Sequence, residues 1–180
     1  MQRPEFVHLH LHSQFSLLES TVRFEPLIAR LKEFQMPAVA LTDKYNLFGA
    51  IAFYQSVMDH GLKPIIGCEI WVAPEKANGS GRPEAVYPLV LLAENEEGYK
   101  NLMKLSSAGY LQGFHRVPRV DKTLLTRHKE GLIALSGGME GEINRYILKE
   151  EAPIALRVAG EYQELFGKDR FFLELGDHGL

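Results

Sequence analysis

The sequence predicts an α/β fold built from alternating strands and helices, and three observations carry that reading. Six short apolar runs read as strands, at 6–12, 38–42, 64–72, 87–93, 131–136 and 171–175. Helical periodicity fills most of the intervals between them. The run at 64–72 is almost continuously apolar, as strands buried on both faces of a parallel sheet tend to be. Strands separated by helices imply right-handed crossovers, so a parallel sheet is expected, either closed into a barrel or open and doubly wound.

Each element has its own signal. In Phe6–His12 the side chains alternate, placing His8, His10 and His12 on one side and Leu9 and Leu11 on the other. A helix follows from about Pro26 to Phe34, where Leu27, Ile28, Leu31 and Phe34 share a face. Pro26 is tolerated there only in the first helical turn. The helix after 38–42 carries Leu47, Ala50, Ile51, Tyr54 and Met58 as its apolar stripe, and Gly61 closes it. Pro74, Pro83 and the run Asn78-Gly79-Ser80-Gly81 predict an exposed loop over 74–85. Asn95 caps a helix over 96–111, and Asp121 caps a short one through His128. Two helices follow 131–136. Pro153 opens the second, whose buried stripe is Ala155, Val158, Ala159, Tyr162, Leu165 and Phe166.

Composition narrows the class. The chain has 180 residues, 46% hydrophobic and 24% charged, which fits one folded domain and no disordered region. The longest apolar runs, such as Leu89–Ala93, fall far short of the ~20 residues of a membrane span, so no membrane partner is expected. The N-terminus passes straight into a strand-like run with no signal peptide. The single cysteine, Cys68, excludes a disulfide framework and fits a reducing compartment, so a cytoplasmic location is expected. A net charge of −3 gives no electrostatic case for direct nucleic-acid binding. No glycine-rich phosphate loop follows any strand, which counts against a nucleotide-binding open sheet.

In parallel α/β folds, reactive side chains gather at the C-terminal ends of strands. Three of the seven histidines lie within His8–His12. Imidazoles at i and i+2 of a strand can ligate one metal or two adjacent ones; the structural alternative is a polar strand hydrogen-bonded to its neighbours. Glu69, among Ile66, Ile70 and Trp71, needs a partner, either a metal or an ion pair with Lys44. Cys68 reads as a small core residue. Asp177 and His178 read as turn residues, and His60, His115 and His128 as solvated.

These residues carry a family resemblance. His8-Leu9-His10-Leu11-His12-Ser13, followed by Phe15-Ser16-Leu17-Leu18-Glu19, resembles the opening of the polymerase and histidinol phosphatase (PHP) domain. More narrowly, it is similar to the PHP domain at the N-terminus of the bacterial replicative DNA polymerase III α subunit. Further blocks agree at 38–43 with 46–49, at 63–69, at 91–95 with Gly98-Tyr99 and Asn101-Leu102, at 131–137, and at 173–175 with 177–179.

The resemblance implies a distorted (β/α)7 barrel that holds up to three metals, commonly zinc or manganese. It makes residues 1–180 a PHP domain truncated after about six strands, an N-terminal fragment of a longer polymerase chain. The seventh strand and a final Asp-x-His pair would lie beyond Leu180, which agrees with a sequence that stops right after its sixth strand. His10 and His12 match the first two ligands, Glu19 stands where the family usually has Asp, and Glu69 matches the third-strand carboxylate. Lys44, Pro88 and Gly138 replace a histidine, a histidine and a cysteine.

A charged ammonium at position 44 cannot ligate a cation and repels one nearby. The expected function is therefore a structural and docking module with a degenerate metal site, inside a magnesium-dependent DNA polymerase of chromosomal replication. No catalytic residue is assigned to this segment. The implied partners are the remaining polymerase domains of the same chain, the proofreading exonuclease and other replicase subunits, and DNA reached through the parent chain. The competing reading is an active metal-dependent phosphoesterase or 3′–5′ exonuclease domain.

Overall fold

The computed structural model describes residues 6–73 and 85–176. After an irregular N-terminal segment come α1 (Phe24–Glu33), β1 (Ala38–Leu41), α2 (Ala50–Asp59), β2 (Lys63–Ala73), β3 (Tyr87–Ala93) and α3 (Glu96–Leu111). Then follow β4 (Val120–Asp121), α4 (Lys122–Arg127), β5 (Leu132–Leu135), a 3-10 turn at Gly138–Glu140, α5 (Glu142–Leu148), α6 (Ala152–Phe166) and β6 (Phe171–Phe172). The expected caps form. Asn95 accepts from the Gly98 N–H at 3.0 Å, and Asp121 from the Leu124 N–H at 2.7 Å. Gly98 has a second duty: a Cβ there would lie 1.8 Å from the Gly131 carbonyl oxygen, so only glycine lets α3 start against the entry to β5.

The sheet runs β1-β2-β3-β5-β6, with β4 beside the far end of β2. It is mixed, which corrects the expectation of a parallel sheet. β1, β4 and β2 run parallel, as do β5 and β6, but β3 is antiparallel to both β2 and β5. The reason lies between 73 and 87, where the sequence offers loop residues and no helical pattern. A parallel neighbour needs a crossover, usually helical, and the sequence carries no such pattern here; β3 pairs antiparallel. Helices cover the sheet, which stays open over the described residues, and the architecture is that of a distorted, truncated α/β barrel.

Burial divides the sheet into two faces. Cys68, Ile70, Val72, Leu89 and Leu91 pack beneath Leu102 and Leu105 of α3 and Val158 and Tyr162 of α6. Ala40, Val90, Leu92 and Leu135 form a smaller cluster. Glu69 pairs opposite Val90 and shares that second face, so its carboxylate emerges beside an apolar floor. A third cluster joins β1 to α1 and α2 through Ile28, Leu31, Val39, Phe53 and Val57.

Two further expectations need correction. The first predicted strand forms only a bridge, His8 to Val39, with Ala40 N–H donating to His8 and Thr42 N–H to Leu11. Regular pairing fails because the Leu11 N–H turns to the Thr42 hydroxyl at 2.8 Å. In α2 the buried side is Ala50, Phe53 and Val57, whereas Ile51, Tyr54 and Met58 are 61%, 49% and 50% exposed. That helix is apolar on most sides, so periodicity could not choose its phase. Phe53, edge-on to Phe24 with ring centres 5.5 Å apart, decides it.

Candidate metal centre

The site begins with Thr42 and Asp43, which leave β1 and anchor the histidine segment. The buried Asp43 carboxylate accepts the Ser13 N–H at 2.6 Å, the Ser13 hydroxyl at 2.7 Å and the Ser16 hydroxyl at 2.6 Å. Three donors on one carboxylate hold the chain from 13 to 16 in place. His10 and His12 are thereby fixed on one side of it and Glu19 on the other.

Glu69 projects from β2 into this frame. Its Oε2 lies 2.9 Å from His10 Nε2 and 3.0 Å from His12 Nε2. The other nitrogen of His10, Nδ1, lies 2.7 Å from Oε1 of Glu174, just beyond β6. Both His10 nitrogens therefore face carboxylates, an arrangement only an imidazolium satisfies, since neutral imidazole has a single donor. Burial opposes the charge on His10, but the hydrogen bonds to Glu174 and Glu69 prevail and raise its pKa to about 9. Burial likewise works against a charged Glu69, and the bonds from His10 and His12 outweigh it, holding that carboxyl at about 2.

Lys44 closes the other side. Its Nζ lies 3.0 Å from Glu19 Oε2 and 3.8 Å from Glu69 Oε1. One oxygen of Glu69 thus serves two imidazoles while the other faces an ammonium. Cys68 points the opposite way, into the main core, where burial pushes its thiol far above the ordinary range.

Of the residues named from sequence, His10, His12 and Glu69 each offer a ligand atom, all within 4.8 Å of one another. Glu19 is tied to Lys44 but half exposed. A Cβ at Gly138 would lie 3.8 Å from Glu174 Oε1, so that position borders the cluster. Pro88 pairs opposite Trp71, two residues along the Glu69 face, and its carbonyl abuts Gly137. His8 is exposed, sits edge-on to Phe6 and does not join the cluster. Asp177 and His178 lie outside the described residues. Glu174 is the residue sequence reasoning missed, although a carboxylate at the end of a strand was a usable signal.

The donor set fits a single cation. Two imidazoles and a carboxylate converge, and Glu174 Oε2 is buried with no hydrogen-bond partner among the described residues. A second cation near Glu19 would meet the Lys44 ammonium.

Over residues 8–178 the sequence matches the model of the PHP domain. The chain belongs to the PHP domain family. This PHP domain is 44% identical over 185 residues to the DNA polymerase III subunit alpha of Treponema pallidum, a match covering 100% of this chain and 16% of that protein. It is 43% identical over 182 residues to the subunit of the same name from Thermus aquaticus, covering 98% and 15%. The domain thus spans about one-sixth of the length of these curated relatives, in their N-terminal region. Among solved structures, an amidohydrolase from Chromobacterium violaceum superposes with a TM-score of 0.53 at 13% identity, covering 92% of this chain and 75% of that one, a likeness of fold. No described helix of the PHP domain is long and apolar enough to cross a membrane.

Proposed function

We propose that this PHP domain, residues 1–180, is the N-terminal part of a replicative DNA polymerase III α chain. There it serves as a structural and docking module over a degenerate metal site. The supporting observation is the Lys44 ammonium, 3.0 Å from Glu19 and 3.8 Å from Glu69, where a cation would otherwise balance the carboxylates. The His10 imidazolium between Glu69 and Glu174 adds a second fixed positive charge. Two protein cations thus offset two of the three carboxylate charges of Glu19, Glu69 and Glu174. In this reading the magnesium-dependent nucleotidyl transfer uses carboxylates elsewhere in the longer chain. DNA, the other polymerase domains, the proofreading exonuclease and further replicase subunits are met through that chain, in the cytoplasm. The seventh strand and the final Asp-x-His pair follow residue 180.

A second reading, an active phosphoesterase or 3′–5′ exonuclease, is favoured by the convergence of His10, His12 and Glu69 and by the partnerless oxygen of Glu174. Those residues would hold one ion, zinc or manganese, with Glu19 to the side. When bound, such an ion supplies Lewis-acid activation of water for phosphoester cleavage. His10 can join the ligand set only by releasing a proton, because both of its nitrogens are committed as donors, so uptake of metal is coupled to pH.

Elemental analysis of protein freed of adventitious metal separates the two readings, together with hydrolysis of a 3′-labelled single strand. Less than one equivalent of zinc or manganese and no hydrolysis are expected. One or more tightly held ions per chain, with turnover abolished by His12→Ala, would establish the second reading. Lys44→His restores one family ligand, and zinc should raise its Tm more than the parent's, since a ligand at 100 Kd adds about 2.7 kcal/mol to the folded state. Equal shifts would show that position 44 is not what keeps metal out.

A further inference from the structure

The last turns of α3 leave one side uncovered among the described residues. Leu102, Leu105 and Gly109 are buried, whereas Met103, Lys104, Ser107, Tyr110 and Leu111, spaced along the opposite face, are exposed. The chain then turns back on the helix. A Cβ at Gly113 would lie 1.9 Å from the Arg119 carbonyl oxygen, and one at Gly109 3.5 Å from Pro118, so residues 113–119 pack on the helix end. This turn lays the Phe114 ring beside Tyr110, with ring centres 6.5 Å apart and planes 20° from parallel. Tyr110 is 43% exposed and Phe114 59%. Between Gly98 and Val120 the chain holds Lys100, Lys104, His115, Arg116 and Arg119 and no acid, although acids outnumber bases by 23 to 20 overall. β2, which pairs with β4 at Val72 and Val120, runs into 74–84, whose sequence carries two acids and two bases and so leaves this balance unchanged.

We propose that the end of α3 and residues 112–119 form a contact surface for single-stranded nucleic acid, on which bases stack against Tyr110 and Phe114 while phosphates meet Lys104 and Arg116. A single strand offers flat base faces and a regular row of negative charge, and exposed aromatic rings flanked by cations bind it without needing a particular sequence. Lys100 and Lys104 lie 2.8 and 4.0 Å from Glu96 and Glu97, but exposed pairs of this kind contribute little, so either lysine can exchange its partner for a phosphate. An apolar protein partner would use the rings and Leu111 but gives no reason for a stretch free of acids. A duplex keeps its base faces stacked inside. The net charge of −3 hides this asymmetry because the acids lie elsewhere in the chain. The contact is additional to any made through a longer chain and does not draw on the histidine cluster.

Binding is read as the fluorescence anisotropy of an end-labelled oligo-dT of about 12 nucleotides, with a chelator present, beside an oligo-rU and an abasic strand of the same length. Saturable binding to oligo-dT, oligo-rU or both is expected, weakening as salt rises, and the tighter of the two identifies the strand. The abasic strand should bind about tenfold more weakly, because it has phosphates and no base faces. Tyr110→Ala and Phe114→Ala should each weaken binding about tenfold, Phe114→Trp should retain it, and Arg116→Gln should lower the salt slope by about 0.7. These side chains are exposed, so Tm should stay at the parent value; where an alanine variant melts early, the abasic strand and Phe114→Trp decide. No saturable binding at low salt would overturn the proposal and leave the strip as an apolar protein surface. Equal affinity for the abasic strand would overturn it too, as would parental affinity in both alanine variants, which would place the strand elsewhere on the molecule. Neither metal content nor membership of a polymerase chain enters these measurements, so the contact can fail while both of those readings hold.

Discussion

Lys44→Ala measures how far an ammonium replaces a metal's charge at Glu69. Lys44 is 19% exposed in its side chain, Glu19 52% and Glu69 5%. The Glu19 contact is half in water, and pairs of that kind contribute roughly 0–1 kcal/mol. The Glu69 contact is different. At 3.8 Å the attraction is about 4 kcal/mol gross for an effective dielectric constant of about 20, and desolvation of the lysine offsets part of it. Leaving a buried carboxylate wholly unpaired costs about 3–5 kcal/mol. Glu69 keeps its bonds from His10 and His12, however, so the net loss should fall below that range, at about 2 kcal/mol. Urea unfolding at pH 7 with a chelator present reads this directly. With a slope of about 2 kcal/mol/M, the midpoint should drop by about 1 M at unchanged slope. Glu19→Gln is the control and should cost no more than about 1 kcal/mol. If Lys44→Ala matched Glu19→Gln, or fell within about 0.5 kcal/mol of the parent as ordinary surface changes do, the ammonium would be bound to Glu19 alone and charge replacement at Glu69 would be refuted.

Three other outcomes are expected. Asp43→Ala strands the Ser13 N–H and two serine hydroxyls, and thermal melts should show a loss of at least about 3 kcal/mol, given about 1.5–3 kcal/mol for each bond to a charged group; a loss under about 1 kcal/mol would mean the segment is held by other contacts. The chelated protein should be most stable on a plateau between two limits. The folded-state pKa of His10 is raised from 6.5 to about 9, so its contribution is complete below about pH 6.5 and disappears as pH rises through about 9. Glu69 is lowered from 4.5 to about 2, so its contribution is complete above about pH 4.5 and is lost as pH falls through about 2. Denaturant midpoints across that range test both limbs; Glu69→Gln should remove the acid limb and only reduce the alkaline one, because Glu174 still holds His10. Cys68, fully buried with its thiol pushed well up, should resist a thiol reagent at pH 8 and react with one equivalent after unfolding; fast labelling of native protein would contradict its place in the core.

The parts of the fold that were legible in the sequence are those with a local cause. Asn95 and Asp121 cap their helices, and the stripe from Ala155 to Phe166 packs as its spacing predicts, because each depends only on near neighbours. The direction of β3 was not local. It required noticing that the sequence of 74–86 offers no helical pattern for a crossover, so that two expected parallel neighbours pair antiparallel. The exposed side of α2 was illegible for another reason: hydrophobic residues surround the helix, and tertiary contact with Phe24 selects the face. In the site, His10, His12, Lys44 and Glu69 could be placed from strand ends. Glu174 could not be matched to His10, since nothing local announces a pairing across 164 residues.

That separation has a consequence for the order in which the molecule assembles. His10 is bonded to Glu69 at a distance of 59 residues along the chain and to Glu174 at 164. A growing chain presents the histidine segment long before its last acid exists, and closing so large a loop is slow relative to hairpins and helices. Until Glu174 arrives, only Glu69 answers the imidazole, and the proton on His10 is held by half of its final partners. The late partner also sits beyond a strand of two residues, with Phe172 and Leu173 largely in water on either side of the last ladder bond. Amide exchange should therefore be fastest around 171–175 and slow in β2 and β3. The charge cluster is latched by the least protected end of the sheet, and it loosens from that end first.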